Sequence, residues 1–168
     1  MVPPQISIAE SPPQALSVDP DSIPEELERR TQWVNWKYAW DGKKWTKHPY
    51  NPRTRRMASS TDLMTWSPFE MVLEAYEAGK YNGIGFCFCS ADPFVGLDFD
   101  NCRNPATGEV DPRVLEYVAK FKDRYVEVSV SETGIHLITR GKIQGGTNKG
   151  NYEIYDQDRF FTMTGVLL

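Results

Sequence analysis

The hydrophobic pattern of the chain alternates between two periods, one typical of helices and one typical of strands. From Phe69 to Tyr76, apolar residues recur every three or four positions after a Ser-Pro-Phe-Glu capping box, which predicts an amphipathic helix ending near Gly79. A similar pattern after Asp111-Pro112 predicts a second helix, and Ser22 begins a short third one. Alternating or apolar runs predict strands at 84–89, 94–100, 125–130, 135–140, 152–155 and 160–164.

An aromatic hairpin is predicted ahead of these strands. Asp41-Gly42, a strong turn signal, separates the run 32–40 from the run 43–50. Helices and strands are mixed along the chain, and short links join several of the strands. We therefore predict an α+β or α/β domain with a mixed sheet and flanking helices.

The first part of the chain differs from the rest in composition. Residues 1–28 carry six acidic side chains, no basic ones and six of the twelve prolines. The stretch MVPPQISIAESPPQALSVDP cannot bury enough apolar surface to offset its ordering entropy. We predict that residues 1–21 are a disordered acidic tail and that residues 22–168 form the folded domain.

Residues 29–57 reverse this charge pattern. They hold nine of the nineteen Lys and Arg residues against one acid, together with four of the five tryptophans. Basic residues interleaved with aromatic rings suit single-stranded nucleic acid, since cations meet phosphates and rings stack on bases. A half-buried hairpin with tryptophans in the core explains the pattern equally well. In the first interpretation, Trp36, Lys47, Arg53 and Arg55 would contact a nucleic-acid template.

The composition of the whole chain limits the functions and the cellular compartments that are compatible with it. A net charge of -4 disfavours a protein that coats nucleic acid by charge alone. No apolar run approaches the roughly 20 residues of a membrane helix, and the start lacks the features of a signal peptide. Three cysteines, two of them in one strand-like run, favour a reducing compartment. We expect a soluble, cytoplasmic protein without a membrane partner.

The strand at 94–100 carries the first candidate chemistry. Because side chains alternate, Leu97 and Phe99 face the core while Gly96, Asp98 and Asp100 share the other face. Two carboxylates roughly 6 to 7 Å apart repel each other, and a bridging divalent cation would reverse that cost. Their oxygens are ligands that Mg²⁺ and Mn²⁺ prefer, and Gly96 would leave room there. A strand end with two solvated acids is the alternative.

Two later strands offer candidate partners for these acids. In 151–156, Tyr152 and Ile154 occupy the apolar phase, so Glu153 on the opposite face is a better third carboxylate than Asp156. His136 follows the polar turn 129–134, where free backbone N–H groups and hydroxyls would hold phosphate oxygens.

An acidic strand, a Ser/Gly turn ending in a histidine, and an acid on a third strand resemble the three motifs of the archaeo-eukaryotic primase superfamily. In particular, the chain resembles the primase-polymerase domains of phage and plasmid replication proteins. The resemblance runs from about Ile23 to the C-terminus. It includes Gln32-Trp33-Val34, Lys47-His48-Pro49-Tyr50-Asn51-Pro52, Ala58-Ser59-Ser60-Thr61-Asp62 with Trp66, Gly83-Ile84-Gly85-Phe86, Gly96-Leu97-Asp98-Phe99-Asp100 and Arg159-Phe160-Phe161-Thr162-Met163-Thr164-Gly165.

The resemblance implies a catalytic core with an RRM-like part and the activity of a DNA primase and polymerase in DNA replication. Asp98, Asp100 and Glu153 would be the catalytic residues and would hold two Mg²⁺ or Mn²⁺ ions. His136, Ser131 and Arg159 would contact the incoming nucleotide.

The same resemblance implies partners and a setting. The substrates would be a single-stranded DNA template and dNTP or NTP, and a helicase domain or partner would lie outside these residues. The protein would be cytoplasmic, in a bacterial or archaeal cell. Its gene would belong to that cell or to a phage or plasmid. The second motif departs from the family pattern, because Val130 and Glu132 stand where such proteins commonly have Pro and Gly.

Three other functions fit parts of the sequence. A two-metal nuclease needs much the same carboxylates, whereas a non-catalytic strand-binding replication module needs the basic hairpin without the acids. Cys87, Cys89, Cys102 and His48 would supply four zinc ligands by count, although Cys-x-Cys within a strand is not the usual spacing.

Overall fold

The computed structural model describes residues 11–143 and 146–168, and its elements follow the predicted order, with the strand Thr147–Lys149 as an addition that was not predicted. The helices are α1 (Glu25–Glu28), α2 (Phe69–Glu77) and α3 (Pro112–Val118), with 3-10 turns at Pro20–Ser22 and Leu63–Thr65. The strands are β1 (Trp33–Trp40), β2 (Trp45–Tyr50), β3 (Gly83–Phe88), β4 (Phe94–Phe99), β5 (Arg124–Val128), β6 (Ile135–Arg140), β7 (Thr147–Lys149), β8 (Tyr152–Tyr155) and β9 (Arg159–Met163).

The described strands form two antiparallel sheets, in the orders β2-β1-β3-β9 and β5-β6-β4-β8-β7. The predicted α+β class is confirmed. The mixed sheet that we expected is replaced by these two sheets. The reason lies in the connections: α2 joins β2 to β3, and α3 joins β4 to β5. In the sheets, β1 stands between β2 and β3 and β6 stands between β4 and β5, and each runs antiparallel to both of its neighbours. No helix in the described ranges combines the length and apolarity that a membrane span requires.

One core cluster lies between the two sheets. Phe86 and Phe88 of β3 and Phe161 of β9 pack in one cluster with Phe94 and Ile138 of the five-stranded sheet, and the Phe86 and Phe94 rings meet edge to face across the two sheets. A second cluster lies on the other face of the five-stranded sheet, where α3 covers Leu97, Phe99, Ile135 and Leu137 through Val114 and Val118. The polar face of β4 therefore looks toward the other sheet.

Gly96 has a packing role that the sequence did not reveal. A Cβ atom at this position would lie 2.5 Å from the Phe88 ring and 2.6 Å from the Phe161 ring. The glycine thus admits two aromatic rings of the opposite sheet. The expectation that it leaves room for a cation is corrected.

The predicted hairpin is formed by β1 and β2, which pair up to Trp40 and Trp45 around the loop 41–44. Asp41 closes this loop, since its Oδ1 accepts hydrogen bonds from the backbone N–H groups of Lys43 and Lys44. Trp33 and Trp36 are buried, whereas Trp40 is 43% exposed at the tip. The aromatic segment is therefore partly core and partly surface.

Residues 1–10 of the predicted disordered tail lie outside the described residues. Its final residues contact the domain, because Val18 packs on the inter-sheet core and its N–H donates to the Tyr76 hydroxyl at 3.1 Å. The N–H of Asp19 donates to the carbonyl oxygen of Thr164 at 2.7 Å. Val18 and Asp19 are thus in contact with the domain, and the division of the chain at residue 22 stays a prediction.

Candidate active site

A row of polar residues crosses the five-stranded sheet on the face that looks toward the other sheet. Its members are directly opposed on adjacent strands, in the order Glu127, His136, Asp98, Glu153 and Asn148. Directly opposed residues of antiparallel strands project from the same face with Cβ atoms roughly 5 Å apart. The register thus places three of the predicted site residues side by side.

This polar row borders a cleft of about 440 Å³ between the two sheets, which we call the inter-sheet cleft. Asp98 and Glu153 line it from the five-stranded sheet, and Arg159 and Phe161 line it from β9. Ser59-Ser60, in the segment after β2, forms a further wall. Pro49 of β2 also lines it, so four of the family-like segments noted in the sequence meet at one cavity.

Asp98 occupies the centre of the row. Its Oδ1 atom is buried, accepts no hydrogen bond from the described residues, and lies 3.6 Å from Nε2 of His136. Burial raises the pKa of Asp98, and the neighbouring charges of Asp100 and Glu153 raise it further against the opposing effects of His136 and Lys47. The positive charges near Asp98 therefore only partly offset its burial and the two neighbouring negative charges.

Glu127 fixes the orientation of the histidine. It is fully buried, and its Oε1 lies 2.9 Å from Nδ1 of His136. Its Oε2 accepts from the Tyr125 hydroxyl at 2.7 Å and from the N–H groups of Thr164 and Gly165 at 2.8 Å each. Because an ionised carboxylate only accepts hydrogen bonds, we assign the Nδ1 proton to His136. The Nε2 atom is thereby directed toward Asp98.

The imidazole is also held from the opposite sheet. The Phe161 ring stacks on it with centroids 4.9 Å apart and planes inclined by 29°. Burial by itself would lower the pKa of His136, but the charge of Asp98 and the hydrogen bond and charge of Glu127 outweigh it, so the pKa is raised.

Sequence reasoning missed Glu127, because it lies in the polar phase of its strand and was not distinguished from a solvated acid. A signal was available in the predicted hairpin of β5 and β6. Pairing Val128 with Ile135 across the turn places Glu127 directly opposite His136, as the structure shows. What the pattern alone did not contain was the second sheet that covers this face.

Glu153 is the third member of the predicted carboxylate set. It accepts a hydrogen bond from Asn148 Nδ2, and its Oε2 lies 3.6 Å from Nη2 of Arg159. Arg159 also donates to the Tyr155 hydroxyl at 2.9 Å, which places its guanidinium at the mouth of the cleft. The competing acid, Asp156, is buried and accepts from the N–H of Ile143 at 3.0 Å, a structural role.

Asp100 and Lys47 lie close enough to Asp98 for their charges to interact. Asp100 is exposed one residue past the end of β4, and its N–H donates to the carbonyl oxygen of Asn151 at 2.8 Å. Partial desolvation lowers the pKa of Lys47, while the charges of Asp98 and Asp100 act to raise it. Lys47, which we had assigned to the template, is therefore within range of charge interaction with the two carboxylates.

The turn between β5 and β6 lies against the end of β4. Ser131 is exposed, and its Oγ is 3.0 Å from the hydroxyl oxygens of Ser129 and Thr133. A Cβ on Gly134 would lie 2.5 Å from the carbonyl oxygen of Phe99, so the backbone of the turn is in contact with the backbone of β4. Glu132 has a φ of 63°, in the left-handed region that favours glycine. The turn is retained at the cost of backbone strain.

The remaining template predictions separate into core and surface residues. Trp36 is 1% exposed and packs against Gly83, so its ring is inaccessible to a base and its assignment to the template is corrected. Arg53 and Arg55 are exposed in the loop after β2. Arg53 donates from Nη2 to the carbonyl oxygen of Trp66 at 3.3 Å, and Arg55 remains a surface cation.

We tested whether these residues fit a divalent cation. The buried Oδ1 of Asp98, without a hydrogen-bond donor and repelled by two carboxylates, is an oxygen that a hard cation would complete. Within residues 11–143 and 146–168, no three His, Cys, Asp or Glu side chains are already gathered as a metal cluster. Among those residues, neither the predicted carboxylate set nor the cysteines considered as zinc ligands form such a cluster. Metal binding therefore stays a prediction, and it would require Asp100 and Glu153 to turn toward Asp98.

The fold and the site define an α+β domain in which a carboxylate–histidine row borders a cleft between two antiparallel sheets. No family model matches the chain. The chain is 32% identical over 146 residues to a protein named DNA Primase-polymerase from Nitratiruptor phage NrS-1. The match covers 83% of this chain and 20% of that protein, so the chain spans about one fifth of its relative's length. The chain is thus related to a phage primase-polymerase.

Proposed function

We propose that this chain is the catalytic domain of a DNA primase-polymerase, a template-dependent nucleotidyltransferase of DNA replication. One observation carries the proposal: His136, Asp98 and Glu153 are directly opposed on three adjacent strands beside the inter-sheet cleft. The named relative supports the same class of enzyme.

Asp98, Asp100 and Glu153 would hold Mg²⁺ or Mn²⁺ as a two-metal site. The bound cations would activate the attacking 3′-hydroxyl and neutralise the triphosphate and the leaving pyrophosphate. Asp98 supplies an oxygen that accepts no hydrogen bond from the part of the chain that the structure describes, and Arg159 lies 3.6 Å from Glu153 at the mouth of the cleft.

The basic groups around the cleft would bind the triphosphate. His136 presents Nε2 from a ring held by Glu127 and Phe161, so little side-chain entropy remains to be lost on binding. Arg159 lines the cleft, and Lys47 is within range of charge interaction with Asp98 and Asp100. The hydroxyl of Ser131 would add a hydrogen bond from the turn.

The template would be single-stranded DNA held near the exposed loop that carries Arg53 and Arg55. Because this chain spans about one fifth of its relative, a helicase domain or partner would lie outside these residues.

The test is synthesis without a primer. The chain is incubated with single-stranded DNA, labelled dNTP or NTP, and Mg²⁺ or Mn²⁺, and new oligomers are expected. The D98N variant should lose synthesis while it binds template as well as or better than the wild type, since a negative charge is removed. E74Q, an exposed acid on α2, is the matched control and should remain active.

Each alternative gives a different result in the same assay. Full synthesis by D98N would contradict the site assignment. Degradation of labelled DNA without nucleotides would indicate a nuclease. Binding without synthesis, unchanged in an Asp98 and Asp100 double variant, would indicate a non-catalytic module.

A further inference from the structure

A second cavity, of about 460 Å³, opens on the other face of the five-stranded sheet, between α3 and strands β7 and β8. Its floor includes Leu97, Phe99 and Ile154. Because Leu97 and Phe99 alternate with Asp98 along β4, this cavity opens on the face of the sheet opposite Asp98, and Glu153 lines both cavities. Its volume lies within the range of small-molecule sites.

Two tyrosines border this cavity, and we call it the tyrosine cavity. Tyr117 of α3 and Tyr152 of β8 make edge contacts with the Phe99 ring, at centroid distances of 6.0 and 5.7 Å. Their residues are 42% and 48% exposed, so ring surface remains available to a ligand. The two rings flank an apolar floor, an arrangement that offers stacking surface to a flat ligand.

The rim of the tyrosine cavity is mainly basic. Arg113 and Lys149 line it, and Nζ of Lys120 lies 5.6 Å from the Tyr117 ring centroid. Asp111 pairs with Arg113 at 2.7 Å, and Glu153, which lines the cavity, lies 3.6 Å from Arg159. Among the residues that the structure describes, Lys149 and Lys120 form no ion pair, and these two cations favour an anionic ligand over an apolar peptide.

We infer that the tyrosine cavity binds single-stranded nucleic acid, with bases stacked on Tyr117 and Tyr152 and phosphates near Lys120 and Lys149. Exposed aromatic rings beside cations are what such a ligand requires, and stacking tolerates any base. The choice of ligand rests on the proposed function. The inference adds a binding surface on the face of the sheet opposite Asp98, and it supplies accessible rings that the buried Trp36 does not.

Binding of fluorescein-labelled oligothymidylate, followed by anisotropy, tests the inference. The double variant Y117A/Y152A should bind at least about 10-fold more weakly than the wild type. Y117F/Y152F keeps the rings and should stay within about 2-fold. Thermal unfolding of each variant checks that the fold is retained. K149Q should lower the salt dependence of binding, because one phosphate contact is removed.

Photocrosslinking gives a second readout that does not depend on substitution. Oligonucleotides containing 5-bromodeoxyuridine should crosslink to peptides that contain Tyr117 or Tyr152. Crosslinks confined to other peptides would overturn the inference. So would a Y117A/Y152A variant that folds and binds with wild-type affinity, or a wild-type chain that binds no single-stranded DNA. A loss of self-association without a change in DNA affinity would instead assign the cavity to a second copy of the chain.

The outcomes separate this inference from the proposed function. If the wild type synthesises oligomers and Y117A/Y152A binds DNA normally, the inference fails and the function stands. If the wild type makes no oligomers but its DNA affinity depends on the two rings, the binding site stands and the enzymatic proposal fails.

Discussion

Glu127 is a fully buried carboxylate whose oxygens meet four polar groups from three parts of the chain. A buried acid is tolerated only when its oxygens are satisfied in this way. Because the same carboxylate holds His136 and the N–H groups of Thr164 and Gly165, the orientation of the histidine is coupled to the C-terminal segment.

Replacing Glu127 with Gln should disturb both stability and nucleotide use. The amide must direct an NH₂ group toward a proton donor, so we expect a loss of about 1 to 3 kcal/mol of unfolding free energy. The KM for nucleotide should rise because Nε2 of His136 is no longer fixed. Calorimetry and primer-synthesis kinetics measure the two effects, with E74Q as the control.

If Glu127 only stabilised the fold, its replacement by Gln would leave the NMR signal of His136 unchanged. The chain has two histidines, so a ¹⁵N-histidine spectrum with a His48→Gln assignment variant reads His136 directly. We expect a protonated Nδ1 in the wild type and a shifted signal in Glu127→Gln. An identical His136 signal in both proteins would contradict the positioning role.

Asp98 is predicted to destabilise the metal-free protein. Its folded-state pKa is raised, so ionisation is easier in the unfolded chain, and the contribution of Asp98 to stability is lost as pH rises through that pKa. In EDTA, D98N should therefore have a higher Tm than the wild type at neutral pH. The difference should shrink as pH falls and Asp98 becomes protonated.

Adding Mg²⁺ or Mn²⁺ should reverse this order, because a cation that binds only the folded state raises its Tm. The wild type should gain Tm on addition of metal, and D98N should gain less. Differential scanning fluorimetry over a metal titration measures both values. Equal gains in the two proteins would remove Asp98 from the metal site.

At the scale of one element, β4 carries two different surfaces on neighbouring residues. Leu97 and Phe99 pack beneath α3, while Gly96 and Asp98 face the other sheet. The strand's alternation was predictable from the sequence, but the partner of each face was not. The glycine at position 96 brings the Phe88 and Phe161 rings onto the strand immediately before Asp98.

Gly96→Ala should destabilise the fold by about 1 to 3 kcal/mol, because its Cβ would overlap two aromatic rings. Gly141→Ala is the matched control, since its Cβ would lie 3.4 Å from Val95 Cγ2 without a left-handed φ. Urea unfolding of both variants gives the comparison. A Gly96→Ala protein as stable as Gly141→Ala would show that the rings move aside at no cost.

At the scale of the whole molecule, the two ends of the described chain meet. The N–H of Asp19 donates to Thr164, and Gly165 lies so close that a Cβ there would overlap the Asp19 carbonyl oxygen. The same C-terminal segment supplies two N–H groups to Glu127. The segment before the first helix is thereby connected to the polar row.

Gly165→Ala should cost about 3 kcal/mol or more, since it combines a left-handed φ of 71° with the Asp19 contact. Gly79→Ala has a similar φ of 72° and no neighbour within 4 Å, so about 1 kcal/mol is expected there. Thermal unfolding of the pair isolates the contact between the two ends. Equal losses would contradict its importance.

The order of elements was predictable from the sequence because it depends on local signals. The Asp111 side chain that caps α3, the apolar periodicity of α2 and the Asp41-Gly42 turn act within a few residues. The division into two sheets depends on which strands pair over long separations, such as β3 with β9. Local periodicity carries no information about such pairs.

The candidate site was likewise predictable where it depends on alternation within one strand, and not where it depends on packing between the sheets. Alternation in single strands was sufficient to select Asp98 and to prefer Glu153 over Asp156. It was insufficient for Trp36, which the pattern left equally compatible with a surface and with the core, and for Glu127, which became buried only through the second sheet.

The sequence by itself determined the order of Asp98, His136 and Glu153 along the chain and the local face of the two carboxylates, because that face follows from alternation within one strand. Only the tertiary structure decided that they stand in one row, that Glu127 holds the histidine, and that Tyr117 and Tyr152 border a second cavity. The physical reason is that register and sheet packing are set by contacts between residues far apart in the chain, which no local pattern encodes.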